Sequence, residues 1–263
     1  SSVSSGTVSE TITGNVKELS ISNSGIQYEN MWVKNTNQNH DIDIGAELAK
    51  EPAVKMKKDG TIQILIYHTH TTEAFAGSSR TQDNSQNVVA VGEEIKKQLE
   101  AAGFGVVHDT TCHDYPSYNG AYDRSGETIQ RNLEKYPDIQ VTLDVHRDAM
   151  GTQDGIRLKP TAMIQGKKAA QIMIISGCDD DGTLGFPDWE YNLRLGVRVQ
   201  KSLSDLYPGL ARPLSFCPRK YNEHMTKGSL LVEFGTEVNT LEEVKYSGQL
   251  FGKALAETLN QLT

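Results

Sequence analysis

Residues 62–67, Ile-Gln-Ile-Leu-Ile-Tyr, are a short, mostly apolar and β-branched run that follows the turn signal Lys58-Asp59-Gly60 and leads directly into His68-Thr69-His70-Thr71-Thr72-Glu73. A run of that length, bounded by turn residues, predicts a strand buried on both faces, as in a parallel sheet. Ligands of open α/β sheets bind beyond the carboxyl ends of the strands. The polar residues after Tyr67 therefore stand where a site is expected.

The chemistry of those residues narrows the reading. His70-x-x-Glu73 offers a neutral imidazole and a carboxylate, two of the three protein ligands of a His₂Glu zinc site. Residues 141–148, Val-Thr-Leu-Asp-Val-His-Arg-Asp, are a second apolar strand running into His and acidic residues, which makes His146 the candidate third ligand. A third such strand, Ser-Leu-Leu-Val-Glu-Phe-Gly over residues 229–235, delivers Glu233, suited to accept a proton from an attacking water. Each residue also has a plainer role open to it, as a hydrogen-bonded histidine or a salt-bridged glutamate at a strand end. His68 competes with His70, because strand alternation puts both on one face.

The remaining elements follow from periodicity. Val88, Val91, Ile95 and Leu99 recur at helical spacing over residues 87–102, stopped by Gly103, and residues 104–108 read as the next strand. This is a βαβ unit, so a right-handed crossover and a parallel sheet are expected. A helix over 125–136 precedes the strand that ends in His146. Residues 158–164 and 170–176 flank Gly166-Lys167 as the arms of a β-hairpin. A helix over 188–206, a short strand at 213–216 and a closing helix over 241–262, with Glu242 and Glu243 in its first turn, complete the order. The expected fold is α/β, a mostly parallel central sheet flanked by helices on both faces. At 263 residues the chain suits one large domain. Residues 1–28, rich in Ser, Thr, Gly and Asn, read as a loosely held arm and 29–60 as an appendage. The division is a 1–60 N-terminal extension and a 61–263 catalytic domain.

Composition removes several classes of function. The net charge of −8, without a Lys/Arg cluster, argues against a nucleic-acid partner. There is no Gly-x-Ser-x-Gly elbow of a serine hydrolase. Gly103-x-Gly105 precedes a strand and lacks the third glycine of a dinucleotide fingerprint. Asp179-Asp180-Asp181-Gly182 lacks the ligand alternation of a calcium loop and reads as a solvated turn. No run of eighteen apolar residues and no export signal is present, and the start at Ser1 suggests a processed or trimmed chain whose compartment is not read from this absence. Cys112, Cys178 and Cys217 are odd in number and lack Cys-x-x-Cys spacing, so ordinary thiols are expected, with one disulfide open if the protein is exported.

Four stretches in order carry a resemblance. They are Ile-Tyr-His-Thr-His-Thr-Thr-Glu-Ala-Phe at 66–75, Asn87-Val88-x-x-Val91-Gly92, Asp144-Val145-His146-Arg147-Asp148, and Leu231-Val232-Glu233-Phe234-Gly235 through Asn239-Thr240-Leu241-Glu242-Glu243. The chain resembles the stage II sporulation protein P family, cell-wall hydrolases of spore-forming bacteria, and more widely the zinc-dependent N-acetylmuramoyl-L-alanine amidases. That resemblance implies an amidase-like fold, Zn²⁺ held by His70, His146 and a carboxylate, and Glu233 in catalysis. The amidase glutamate ligand lies further along the chain, just before the first helix, where this sequence has Asp83-Asn84. Glu73 is the choice and Asp83 the reserve. Substrate contacts are expected from Arg124, Arg147 and Asn239. The resemblance implies peptidoglycan as substrate, cut between the lactyl group and L-alanine, with endopeptidase activity on cross-links. It further implies action in engulfment beside stage II sporulation protein D, and an extracytoplasmic location through a membrane anchor absent from this chain. The competing readings are a carboxypeptidase-like zinc peptidase and a non-catalytic wall-binding module.

Overall fold

A computed structural model describes residues 6–263; residues 1–5 of the expected arm lie outside them. The N-terminal part contributes β1 (Gly6–Thr7), β2 (Thr11–Thr13), β3 (Val16–Leu19), β4 (Ile26–Tyr28), β5 (Met31–Asn35) and α1 (Ile44–Ala49). Then come β6 (Ile62–Tyr67), α2 (Val88–Ala101), β7 (Gly105–His108), α3 (Ala121–Lys135) and β8 (Val141–Asp148). The chain closes with β9 (Arg157–Ile164), β10 (Lys167–Ala170), β11 (Ile172–Gly177), α4 (Trp189–Leu206), β12 (Leu214–Cys217), β13 (Ser229–Thr236) and α5 (Leu241–Asn260).

The main sheet has eight strands in the order β4-β5-β12-β11-β13-β8-β6-β7. Five of its seven strand contacts are parallel, with β4–β5 and β11–β13 antiparallel, so the expected mostly parallel sheet is present. Its centre, β13-β8-β6, is parallel throughout, which brings the carboxyl ends of these strands to one edge. Along β6 the side chains divide by turn. Ile64 and Ile66 enter the large core with Val91 and Ile95 of α2, Leu195 of α4 and Phe251 of α5. Leu65 and Tyr67 pack instead on Ile129 of α3. Successive strand residues face opposite ways, so helices cover both faces, with α2, α4 and α5 on one and α3 on the other. On the heavier face α2 and α5 approach closely: a Cβ on Gly248 would lie 2.9 Å from the Val91 carbonyl oxygen, a separation only glycine allows.

Helix starts agree with local chemistry. The Asn87 side chain accepts from Val89 N at 2.9 Å, capping α2, and Thr240 and Glu243 form a reciprocal capping box on α5. The helix expected from residue 125 begins at Ala121, directly after Gly120 in the left-handed conformation (φ 82°).

One expectation is corrected. The hairpin over 158–176 holds only in part: β9 and β10 pair across Gln165-Gly166 (φ 52° and 79°), but the chain then leaves and enters the main sheet as β11 between β12 and β13. The loosely held arm expected over 1–28 and the appendage expected over 29–60 are, from residue 6 on, joined to the rest by strand pairing. β1 and β3 pair with β9, and β5 pairs in parallel with β12 in the main sheet, where Met31 and Val33 are fully buried. Their partners lie more than a hundred residues away, which local composition does not register. Among the described residues no helix is long and apolar enough to cross a membrane.

Candidate metal and catalytic site

The chain leaves β6 at Tyr67 and turns over the end of β8. Asp144 of β8 holds that turn: its carboxylate accepts from Thr69 N at 2.9 Å and from Thr69 Oγ1 at 2.7 Å. A bond from Glu73 N to the His70 carbonyl, 3.1 Å, and one from Val88 N to the Glu73 carbonyl, 2.9 Å, close the turn onto α2. The result is that ligand atoms of His70, Glu73 and His146 all lie within 4.8 Å of one another. Glu73 Oε1 is 3.1 Å from His146 Nδ1 and Oε2 is 4.0 Å from His70 Nδ1. Asp83, the reserve ligand, is on an exposed turn where its carboxylate accepts from Ser85 N and Oγ, outside this group. His68 also turns away. Its Nδ1 donates to the Val145 carbonyl at 2.9 Å, and its Nε2 meets His108 Nε2 at 2.7 Å. His108 in turn contacts Glu93 at 2.5 Å. Gly92 makes room for this buried pair, since a Cβ there would stand 2.6 Å from His108 Nε2. Burial, reinforced by His108, lowers the His68 pKa to about 3, so this imidazole stays neutral.

The electrostatics at the ligand group favour a cation. Burial works against a charged His146, yet Asp144, 2.8 Å from Nε2, and Glu73 on Nδ1 together raise its pKa well above the ordinary value. The Asp144 contact is short but poorly aligned, leaving Nε2 without a well-formed hydrogen bond. Burial would push Asp144 up; His146 and the Thr69 bonds bring it below the usual carboxylate range. A buried imidazole between two carboxylates is a place where positive charge is wanted. The donor set His70, Glu73 and His146 fits Zn²⁺, and Asp144 stands where a carboxylate orients a ligating imidazole.

Glu233 lies on the neighbouring strand, in register with His146. It is half-buried, with Oε2 fully enclosed and without a hydrogen-bond partner among the described residues. Burial, then the charge of Asp148, raises its pKa well above the usual carboxylate range; His146 opposes the shift and Glu73 adds to it. A carboxyl with a free oxygen and a raised pKa suits proton transfer.

Aromatic side chains form the rim. Tyr118 stacks on His70 with ring centroids 4.7 Å apart, and Tyr122 meets the same ring edge-on at 5.5 Å. Arg80 lies over Tyr118 at 4.9 Å and pairs with buried Asp114 at 2.9 Å, bounding an open cleft that also includes Thr72, Gln82 and Tyr115. The sequence reading gave no part to Asp144, Thr69, Tyr118 or Tyr122. Asp144 was within reach of it, since two residues along a strand share a face; Tyr118 comes from a loop with no periodic signal, and Tyr122 stands in the first turn of α3, ahead of the helix start expected at residue 125.

The three expected substrate contacts fare differently. Arg147 is buried and donates from Nε to the Ala74 carbonyl and from Nη2 to the Ser79 carbonyl, both at 2.6 Å, fixing the loop after Glu73. Asn239 is wholly buried: its side chain accepts from Thr236 N at 2.8 Å and donates to Pro160 O and Glu243 Oε1. In the structure the polar groups of both are engaged by the protein's own backbone and side chains, as ties within the fold. Arg124 donates from Nε to His113 O and from Nη2 to Ser117 O and Asn119 O, which ties down the tyrosine loop.

Fold and donor set together define an α/β protein with a candidate His-Glu-His metal centre at the carboxyl edge of its sheet. The chain belongs to the family described as Stage II sporulation protein P, whose model matches residues 5–256. It is 26% identical over 228 residues to Stage II sporulation protein P of Bacillus subtilis (strain 168), covering 79% of this chain and 53% of that protein. The chain thus spans about half the length of this curated relative. Among solved structures it is similar to N-acetylmuramoyl-L-alanine amidase AmiC2 of Nostoc punctiforme (TM-score 0.47, 11% identity, 76% of this chain and 96% of that one). It is also similar to the CwlD amidase from Clostridioides difficile in complex with the GerS lipoprotein (TM-score 0.46, 10% identity, 76% and 98%).

Proposed function

We propose that this chain is a zinc-dependent peptidoglycan hydrolase of the N-acetylmuramoyl-L-alanine amidase type, removing stem peptides from glycan strands during the engulfment stage of sporulation. The observation that carries the reading is the gathering of His70, Glu73 and His146 within 4.8 Å, beside Glu233 on the adjacent strand, in a member of the Stage II sporulation protein P family. Zinc held by His70, Glu73 and His146 would supply Lewis acidity and a lowered water pKa at this edge of the sheet. Glu233 takes the proton of the attacking water and delivers it to the nitrogen of L-alanine as the carbon–nitrogen bond breaks. With the metal bound, Asp144, 2.8 Å from His146 Nε2, would orient that ring, and Tyr118 and Tyr122 flank His70. An endopeptidase activity on cross-links would use the same residues. The longer protein would act outside the cytoplasm from a membrane anchor, in company with stage II sporulation protein D.

Digestion of purified sacculi tests this. The wild type should release stem peptides with free L-alanine amino termini, seen by mass spectrometry. Glu233→Gln should keep its zinc and bind sacculi while releasing fragments about 10²- to 10⁴-fold more slowly. Muropeptides with only their cross-links cut would replace the amidase assignment by the peptidase one. Undiminished release by the variant would remove Glu233 from the chemistry.

A further inference from the structure

Remote from that edge, His40, Cys178 and Asp180 form a second group whose imidazole nitrogen, thiol sulfur and carboxylate oxygen lie within 4.8 Å of one another. We propose that these three residues bind one divalent transition-metal ion of the zinc class, which fastens the loop after β5 to the end of β11. The proposal is independent of the function assigned above, because it shares no residue with that site.

The three ligands come from two segments that the fold already holds face to face. β5 hands its chain on with a bond from Thr36 N to the Phe216 carbonyl, 2.9 Å, and Asn35 Nδ2 donates to the His40 carbonyl at 2.7 Å. Opposite, β11 ends at Gly177, and Cys178 N donates to the Arg219 carbonyl at 3.1 Å. Asp180 reaches across the gap, accepting from Gln38 N at 3.0 Å and Asn39 N at 2.9 Å. Each of these oxygens keeps a further lone pair for a metal. Beneath them Asp179 pins the following turn by accepting from Leu184 N and Phe186 N, both at 3.0 Å. The loop is thus built before any ion arrives.

The donors themselves point to the class of ion. The His40 ring packs edge-on against Trp189, centroids 4.8 Å apart, and neither ring nitrogen makes a hydrogen bond among the described residues. Cys178 is fully buried and unpaired. Thiolate with imidazole selects zinc or cobalt over magnesium or calcium, which take all-oxygen shells. Thiolate and carboxylate together neutralise a dication, and with His40 and Asp180 only half-buried, water can complete a tetrahedral set.

Cobalt titration of the purified chain decides the matter, because the His70 group contains no sulfur. A near-ultraviolet sulfur-to-cobalt charge-transfer band should appear in the wild type. It should persist in the His70→Ala/His146→Ala protein and disappear in Cys178→Ser. His40→Ala, checked for folding by circular dichroism, should weaken cobalt binding at least about tenfold, the lower bound for losing even an outer-shell partner of a metal. Should Cys178→Ser not fold, retention of the band in Cys112→Ser/Cys217→Ser assigns it to Cys178. The proposal is overturned if saturating cobalt gives no such band, or if the band survives Cys178→Ser or is indifferent to His40→Ala.

Discussion

His146 Nδ1 lies 3.1 Å from Glu73 Oε1 although 73 residues separate them in sequence. That contact joins the turn after β6 to the interior of β8, and it exists because Asp144 grips Thr69 and swings the turn over the sheet. Glu73 therefore reaches the histidines by way of backbone that a different carboxylate positions.

From this geometry, Glu73→Gln should lose zinc on dialysis while Asp83→Asn keeps it at the wild-type ratio. Asp144→Asn should retain the three ligands but bind zinc about 10- to 100-fold more weakly, because the ring of His146 loses its orienting carboxylate. Competition with a chelator measures all three, and wild-type affinity in Asp144→Asn would show that the ring is held by packing alone.

The ligand set was readable in the sequence to the extent that it rides on apolar strands. β6, β8 and β13 announce themselves by composition, and His70, His146 and Glu233 come with them. The choice between His68 and His70 was not readable, since alternation treats them alike; it is made by Val145 and His108, which lie elsewhere in the chain. The same limit hid the inward course of Arg147 and Asn239, whose hydrogen-bond partners are loop carbonyls and a strand end. Residues 6–35 were undervalued for a related reason. Short, half-exposed strands carry little period of their own, and theirs is borrowed from β9 and β12.

Glu223 should make stability fall as pH rises. It is fully buried, one oxygen accepts from Gly177 N at 2.9 Å, and the other makes no well-formed hydrogen bond among the described residues, so burial raises its pKa well above the ordinary value. The unfolded chain gives up this proton near pH 4.3, whereas the folded protein retains it to higher pH. The contribution of Glu223 is therefore complete below about pH 4.3 and is lost at up to about 1.4 kcal/mol per pH unit until the folded carboxyl titrates. Glu223→Gln should gain stability relative to wild type across that window, read from urea midpoints at successive pH values. A difference that is constant with pH would mean that the buried carboxyl is ionised.

Asn239→Ala should act on the fold and leave substrate affinity alone. Removing an amide that serves Thr236 N, Pro160 O and Glu243 leaves buried groups unpaired, at a cost of about 1–3 kcal/mol. Chemical denaturation should show that loss with KM unchanged. A raised KM at wild-type stability would return Asn239 to the substrate.

The parallel pairing of β5 with β12 bears on how the molecule can be cut. A fragment starting at residue 61 would leave Leu214–Cys217 as a bare sheet margin, with Leu214 and Phe216, now fully covered, newly open to water beside it. Such a margin is a template for strands from other molecules, and nothing in the remaining chain is available to blunt it. The shortest well-behaved fragment of this protein should therefore begin before Ile26, and one begun at the apparent boundary should self-associate at concentrations where the whole chain does not.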